Sequence, residues 1–61
     1  MAKRLREWRA KRKMSQRELA ERSGVSREYI ARIELGQHDP TVSTLAKLAE
    51  ALRVKVSRLL E

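Results

Sequence analysis

The tightest constraint on this chain is a helix-start signature written three times: an apolar residue, a Ser or Thr, and a second apolar residue four positions after the hydroxyl. It occurs as Met14-Ser15-Leu19, Val25-Ser26-Ile30 and Pro40-Thr41-Leu45. Each hydroxyl can accept a hydrogen bond from an orphan N–H of the first turn. Each flanking apolar pair can pack as a staple that sets the direction in which the chain enters the helix. Ser15 adds Glu18 for a full capping box. Gly24 and Gly36 each follow a periodic stretch, where a residue free to take positive φ closes a helix.

Between these marks the apolar residues recur at intervals of three and four, so helices are expected throughout and strands nowhere. The spacing predicts an all-α fold of five helices at residues 2–13, 15–23, 26–35, 41–52 and 57–60. The predicted core is Leu5, Trp8, Leu19, Ala20, Val25, Ile30, Ile33, Leu45, Leu48, Ala49, Leu52, Val56 and Leu59, one stripe from each helix.

Sixty-one residues suffice for one domain, taken as 1–61. The formal charge of +7 is more than solubility requires and points to a polyanionic partner. With no Cys, one His (His38), one Trp and one Tyr, the chain has no material for disulfides, zinc sites, Cys/His nucleophilic pairs or aromatic stacking platforms. Neither a metal nor a cofactor is expected. No nucleophile–base pair, carboxylate cluster or Gly-rich phosphate loop supports an enzyme, and no pocket for a small-molecule ligand is expected. No apolar segment approaches the roughly 20 residues needed to span a bilayer, so a soluble, intracellular chain without a membrane partner is expected. Residues 1–13 hold seven basic residues against Glu7, or +6, whereas 14–36 balance four Arg against four Glu. Helix 1 therefore reads as the electrostatic anchor.

Gln16 to Leu35 forms two short helices joined by Ser23-Gly24-Val25, the spacing of a helix-turn-helix. The pattern Gln16-x3-Ala20-x3-Gly24-Val25-Ser26-x3-Ile30-x2-Ile33-Glu34-x-Gly36 closely resembles the phage repressor/Cro-like, XRE-type DNA-binding domains. The resemblance runs from about Leu5 to Leu60. Ser23 departs from the small or apolar residue usual there, and Gln37-His38-Asp39 is less basic than the corresponding loop.

The resemblance implies a compact repressor-like domain whose third helix enters the major groove of double-stranded DNA, in a transcriptional regulator of bacterial or phage type. Such a protein is expected in the cytoplasm, on the nucleoid. A wheel of that helix can be drawn at about 100° per residue with Arg27 at zero. It puts Ala31 at about 40°, Leu35 at about 80°, Glu28 at about 100° and Arg32 at about 140°. Tyr29, Ile33 and Ile30 fall on the opposite face. Arg27, Glu28, Ala31 and Arg32 are thus the candidate base-contacting residues. Arg27 could pair with guanine and Glu28 with cytosine N4, while the small Ala31 lets the helix sit close. Gln16, Arg17, Ser26 and Tyr29 are candidates for backbone contact or bracing, and Ser43 and Thr44 for holding a phosphate on free N–H groups. The resemblance also pairs Arg9 with Glu34 as a structural ion pair. It implies two copies on a two-fold site, a weak homodimer formed on DNA with Val54, Val56 and Leu60 as its spare apolar surface. Alternative readings are a protein-holding module of antitoxin or adaptor type, a fragment of a longer regulator, or an engineered DNA binder on this scaffold.

Overall fold

The structure is a computed structural model and describes residues 1–61. It contains five helices: α1 Ala2–Lys11, α2 Gln16–Ser23, α3 Arg27–Glu34, α4 Val42–Leu52 and α5 Val56–Leu60, with no strand. Each helix begins one residue from its expected start or at it, because Ser15, Ser26 and Thr41 lie outside the helices they cap. Their hydroxyls accept from the N–H groups of Glu18, Tyr29 and Thr44 at 3.0, 3.1 and 3.1 Å. The capping box at Ser15 is only half formed. Glu18 turns its carboxylate to Arg22, 3.0 Å away and one turn along the same face, rather than back to Ser15.

Only one helix end, that of α1, departs further from expectation. Gly24 and Gly36 take positive φ, 75° and 74°, as their type predicts. Lys13 and Arg53 do so as well, at 56° and 59°. At Gly36 the closure uses two bonds, Gly36 N–H to Ile33 O and Gln37 N–H to Arg32 O. Lys13 and Met14 close α1 on Ala10 and Arg9 in the same way, and Arg53 and Val54 close α4 on Glu50 and Ala49. Helix α1 therefore stops at Lys11, two residues short of the expected 13.

One cluster of ten buried apolar residues lies at the centre: Leu5, Leu19, Val25, Ile30, Ile33, Leu45, Leu48, Ala49, Leu52 and Leu59. Three residues expected in the core, Trp8, Ala20 and Val56, are half-buried and pack against its outside. The ring of Trp8 meets two cations of its own helix end, Lys11 and Arg12, at 4.6 and 5.2 Å from the centroid. Helix α2 packs against both α3 and α4, while α1 packs against α3 and α5. No helix is long and apolar enough to cross a membrane.

Candidate nucleic-acid interface

Helix α3 divides as its wheel requires. Ile30 and Ile33 are buried, Tyr29 is half-buried, and Arg27, Glu28, Arg32 and Leu35 are exposed, with Ala31 half-buried among them. Leu35 continues the helical path for one residue past Glu34, since its N–H still bonds to Ala31 O at 3.0 Å. The outward face is thus charged around one small and one apolar side chain. Tyr29 lies at the border and meets the His38 ring edge-on, 4.8 Å between centroids.

What fixes α3 is its last residue. Glu34 is 3% exposed, the only charged residue among the eleven that are buried. Arg9 of α1 embraces its carboxylate with two parallel bonds, Nε to Oε2 at 2.8 Å and Nη2 to Oε1 at 3.0 Å. This bidentate fork is the strong form of the pair. The third guanidinium nitrogen, Nη1, donates to Met14 O at 2.9 Å, holding the α1–α2 turn. Gln16 Nε2, at the start of α2, donates to Glu34 Oε1 at 2.9 Å. Arg6 Nη1 donates to the main-chain oxygen of Glu34 at 2.8 Å. The C-terminus of α3 is therefore tied to α1 and α2 at once.

Helix α1 uses part of its basic character within the chain. Arg4 pairs with Glu7, Arg6 and Arg9 hold Glu34, and Arg12 donates from Nε to Leu52 O at 2.8 Å, closing α4. Arg6, Arg9 and Arg12 stand at intervals of three along one side of the helix, and Arg6 and Arg12 remain exposed while bonding back to the fold. Cations bonded to carbonyls at helix ends complement the partial negative charge there. Of the ten arginines in the sequence, only Arg17, Arg27, Arg32 and Arg53 have side chains that make no hydrogen bond or ion pair within the chain. Three of these four lie on α2 and α3.

At the start of α4 the expected pair of free donors is not present as such. The Thr44 N–H is taken by Thr41 Oγ1, and the two threonine hydroxyls bond each other at 3.1 Å. A cap hydroxyl satisfies the third N–H of a helix by construction, so Thr44 could not have kept it free. Ser43 is exposed, and its N–H and that of Val42 lack acceptors. Ser26 and Arg17 are exposed beside α3. The surface cleft of the molecule is lined by Arg12, Met14, Glu18, Arg22, Leu52 and their neighbours, none of them from α3.

Two short helices crossed through a glycine turn, the second presenting an outward charged face, define a helix-turn-helix domain. The helix-turn-helix family profile matches residues 5–59. The immunity repressor of Bacillus phage phi105 is 39% identical over 59 residues, 97% of this chain and 41% of that protein. The control protein C.SmaI of Serratia marcescens is 42% identical over 60 residues, covering 98% of this chain and 71% of the relative. The crystal structure of the restriction-modification controller protein C.AhdI from Aeromonas hydrophila superposes with a TM-score of 0.92 at 38% identity, over 95% of this chain and 88% of that one. The chain belongs to the XRE-type helix-turn-helix family. It spans 33% to 41% of the length of several relatives it matches, the phage repressor among them.

Proposed function

We propose that the chain binds double-stranded DNA in a sequence-specific manner and regulates transcription, with α3 seated in the major groove. The observation that carries this reading is the sorting of the arginines. The side chains of the four arginines of α1 and its C-cap all bond within the chain, although Arg6 and Arg12 stay exposed, whereas Arg17 of α2 and Arg27 and Arg32 of α3 are exposed with no side-chain partner. Unpaired cations beside an exposed Glu and a small Ala suit the mixed donor and acceptor edges of the groove, which hold both guanine O6/N7 and cytosine N4.

In this reading Arg27 and Glu28 contact bases, Ala31 permits close approach, and Arg32 reaches a base edge or phosphate. Arg17, Ser26 and Tyr29 flank the helix where the sugar-phosphate walls would pass. Gln16 braces α3 through Glu34 and leaves its second amide hydrogen for a phosphate. The N–H groups of Val42 and Ser43 offer a further phosphate site at the start of α4. Such a regulator works in the cytoplasm, on the nucleoid.

The test is the salt dependence of binding to a duplex enriched from random sequences. With about 6 phosphates neutralised per bound unit, log K falls with log salt at a slope near −5, and the enriched duplex outcompetes random DNA. A slope near zero, or equal affinity for both duplexes, rejects the proposal in favour of a module that holds another protein.

A further inference from the structure

We infer that Leu35 is a specificity-determining residue that covers the C5 methyl group of a thymine in the major groove. The inference rests on the docking proposed above and adds a base identity to it. Three large apolar side chains are exposed, Leu35 at 67%, Val42 at 83% and Leu60 at 62%, and only Leu35 belongs to the outward face of α3. On the wheel it lies at about 80°, between Ala31 and Glu28, in the middle of the arc that Arg27 and Arg32 bound. It also stands one turn beyond Ala31, so the small side chain leaves the leucine projecting past its neighbour.

Its direction is fixed before any partner arrives. Leu35 has φ −86° and ψ −2°, its N–H bonds to Ala31 O, and the next two N–H groups fold back onto Ile33 O and Arg32 O through the positive φ of Gly36. On the other side, Glu34 is anchored by Arg6, Arg9 and Gln16. A main chain held between two anchored residues is already ordered when it meets its target, so only the rotamer of Leu35 is left to be fixed on contact.

The chemistry then selects the base. Base edges in the major groove carry hydrogen-bonding atoms except at C5 of the pyrimidines, where thymine presents a methyl group, the one large apolar group on offer. A leucine pressed against an amino or carbonyl edge strips water from it without returning a hydrogen bond, and is penalised. Against the methyl, both partners lose apolar surface to each other. Leu35 thus favours thymine by attraction and disfavours cytosine, which has a hydrogen at C5, by omission.

The experiment uses the full chain and a duplex enriched by it from random sequences. Each thymine of the site is replaced singly by uracil, which removes the C5 methyl alone. The wild type is expected to lose about fourfold in affinity at one thymine per half-site, the worth of one buried methyl. The Leu35→Ala variant should melt like the wild type, since the side chain is exposed, and should bind the thymine and uracil duplexes equally. Silence at every replacement, the same ratio in Leu35→Ala, or an enriched site with no fixed thymine overturns the inference and leaves DNA reading by Arg27 intact. Absence of any enriched site defeats the docking itself, and this inference with it.

Discussion

At the scale of single residues, Glu34 joins stability to function. Three side chains from two other helices converge on it, and two of them, Arg9 and Gln16, share one carboxylate oxygen. Removing the carboxylate strands a guanidinium that is only 21% exposed. Breaking such a pair on one side typically costs about 3 kcal/mol, a large share of what a small domain has. Glu34→Ala should therefore lower the melting temperature well before it changes which sequence is enriched, whereas Glu34→Gln, which keeps an acceptor for Arg9, should lose less. Unchanged melting with an altered DNA preference would reverse the assignment. Arg27 should behave in the opposite way: Arg27→Ala should melt normally, weaken binding by about 1 to 3 kcal/mol and relax preference at one base pair, as titration against single-base variants of the site would report. A uniform loss across all duplexes would make it a positioning contact. The two faces of α3 were legible in the sequence because helical periodicity alone sorts Ile30 and Ile33 from Arg27 and Arg32. The Arg9–Glu34 pair was legible only through the family resemblance. Partners 25 residues apart leave no local trace, and neither does the bond from Arg6 to a main-chain oxygen 28 residues away.

At the scale of elements, the starts of α2, α3 and α4 could be read and the end of α1 could not, and the difference is chemical. A cap at a start needs a side-chain oxygen one turn from its target, which is a statement about residue types, so Ser15, Ser26 and Thr41 announce themselves. Closure at an end uses main-chain bonds only. It is visible in sequence where Gly supplies the left-handed conformation and invisible where a Lys is forced into it, as at Lys13; Arg53 takes the same conformation, but there the apolar stripe already ends at Leu52. This is why α1 was expected to run two residues too far. Lys13→Gly should relieve that strain and stabilise the fold by roughly 0.5 to 1 kcal/mol, offset in part by the added freedom of the unfolded chain. For a domain of this size each kcal/mol corresponds to about 4 to 8 °C in melting temperature. Gly24→Ala should do the reverse. A Cβ there meets nothing within 4 Å, so the penalty of about 1 kcal/mol is conformational rather than steric. Equal melting of both variants and the wild type would show that these turns relax freely.

At the scale of the whole molecule, the basic character is distributed differently from what net charge suggests. Seven of the fifteen Lys and Arg residues lie in 1–13, yet Arg6, Arg9 and Arg12 close other helices and Lys11 lies over Trp8. Charge that is already bonded within the chain is less free to neutralise phosphates. The salt dependence of binding should therefore come chiefly from exposed cations without such a bond, Arg17, Arg27 and Arg32 together with lysines such as Lys3, Lys13 and Lys47. The same economy bears on assembly. Near α5 only Leu60 remains exposed, since Val54 and Val56 pack half-buried against the core. One leucine falls far short of the roughly 1,200 Å² that a stable protein interface buries. Yet one α3 reaches only about four base pairs, too few for useful discrimination, whereas two copies centred about 34 Å apart would read two half-sites one turn from each other. We therefore expect a monomer at micromolar concentration and two copies side by side on DNA, the second held by its half-site and by a small α5 contact. Sedimentation should give one copy free and two bound. Inserting five base pairs between half-sites turns the second onto the opposite side of the duplex and should abolish the cooperativity. A Leu60→Lys variant should weaken it at the natural spacing while leaving the affinity for one half-site unchanged. Affinity indifferent to the half-turn would mean that each copy binds alone.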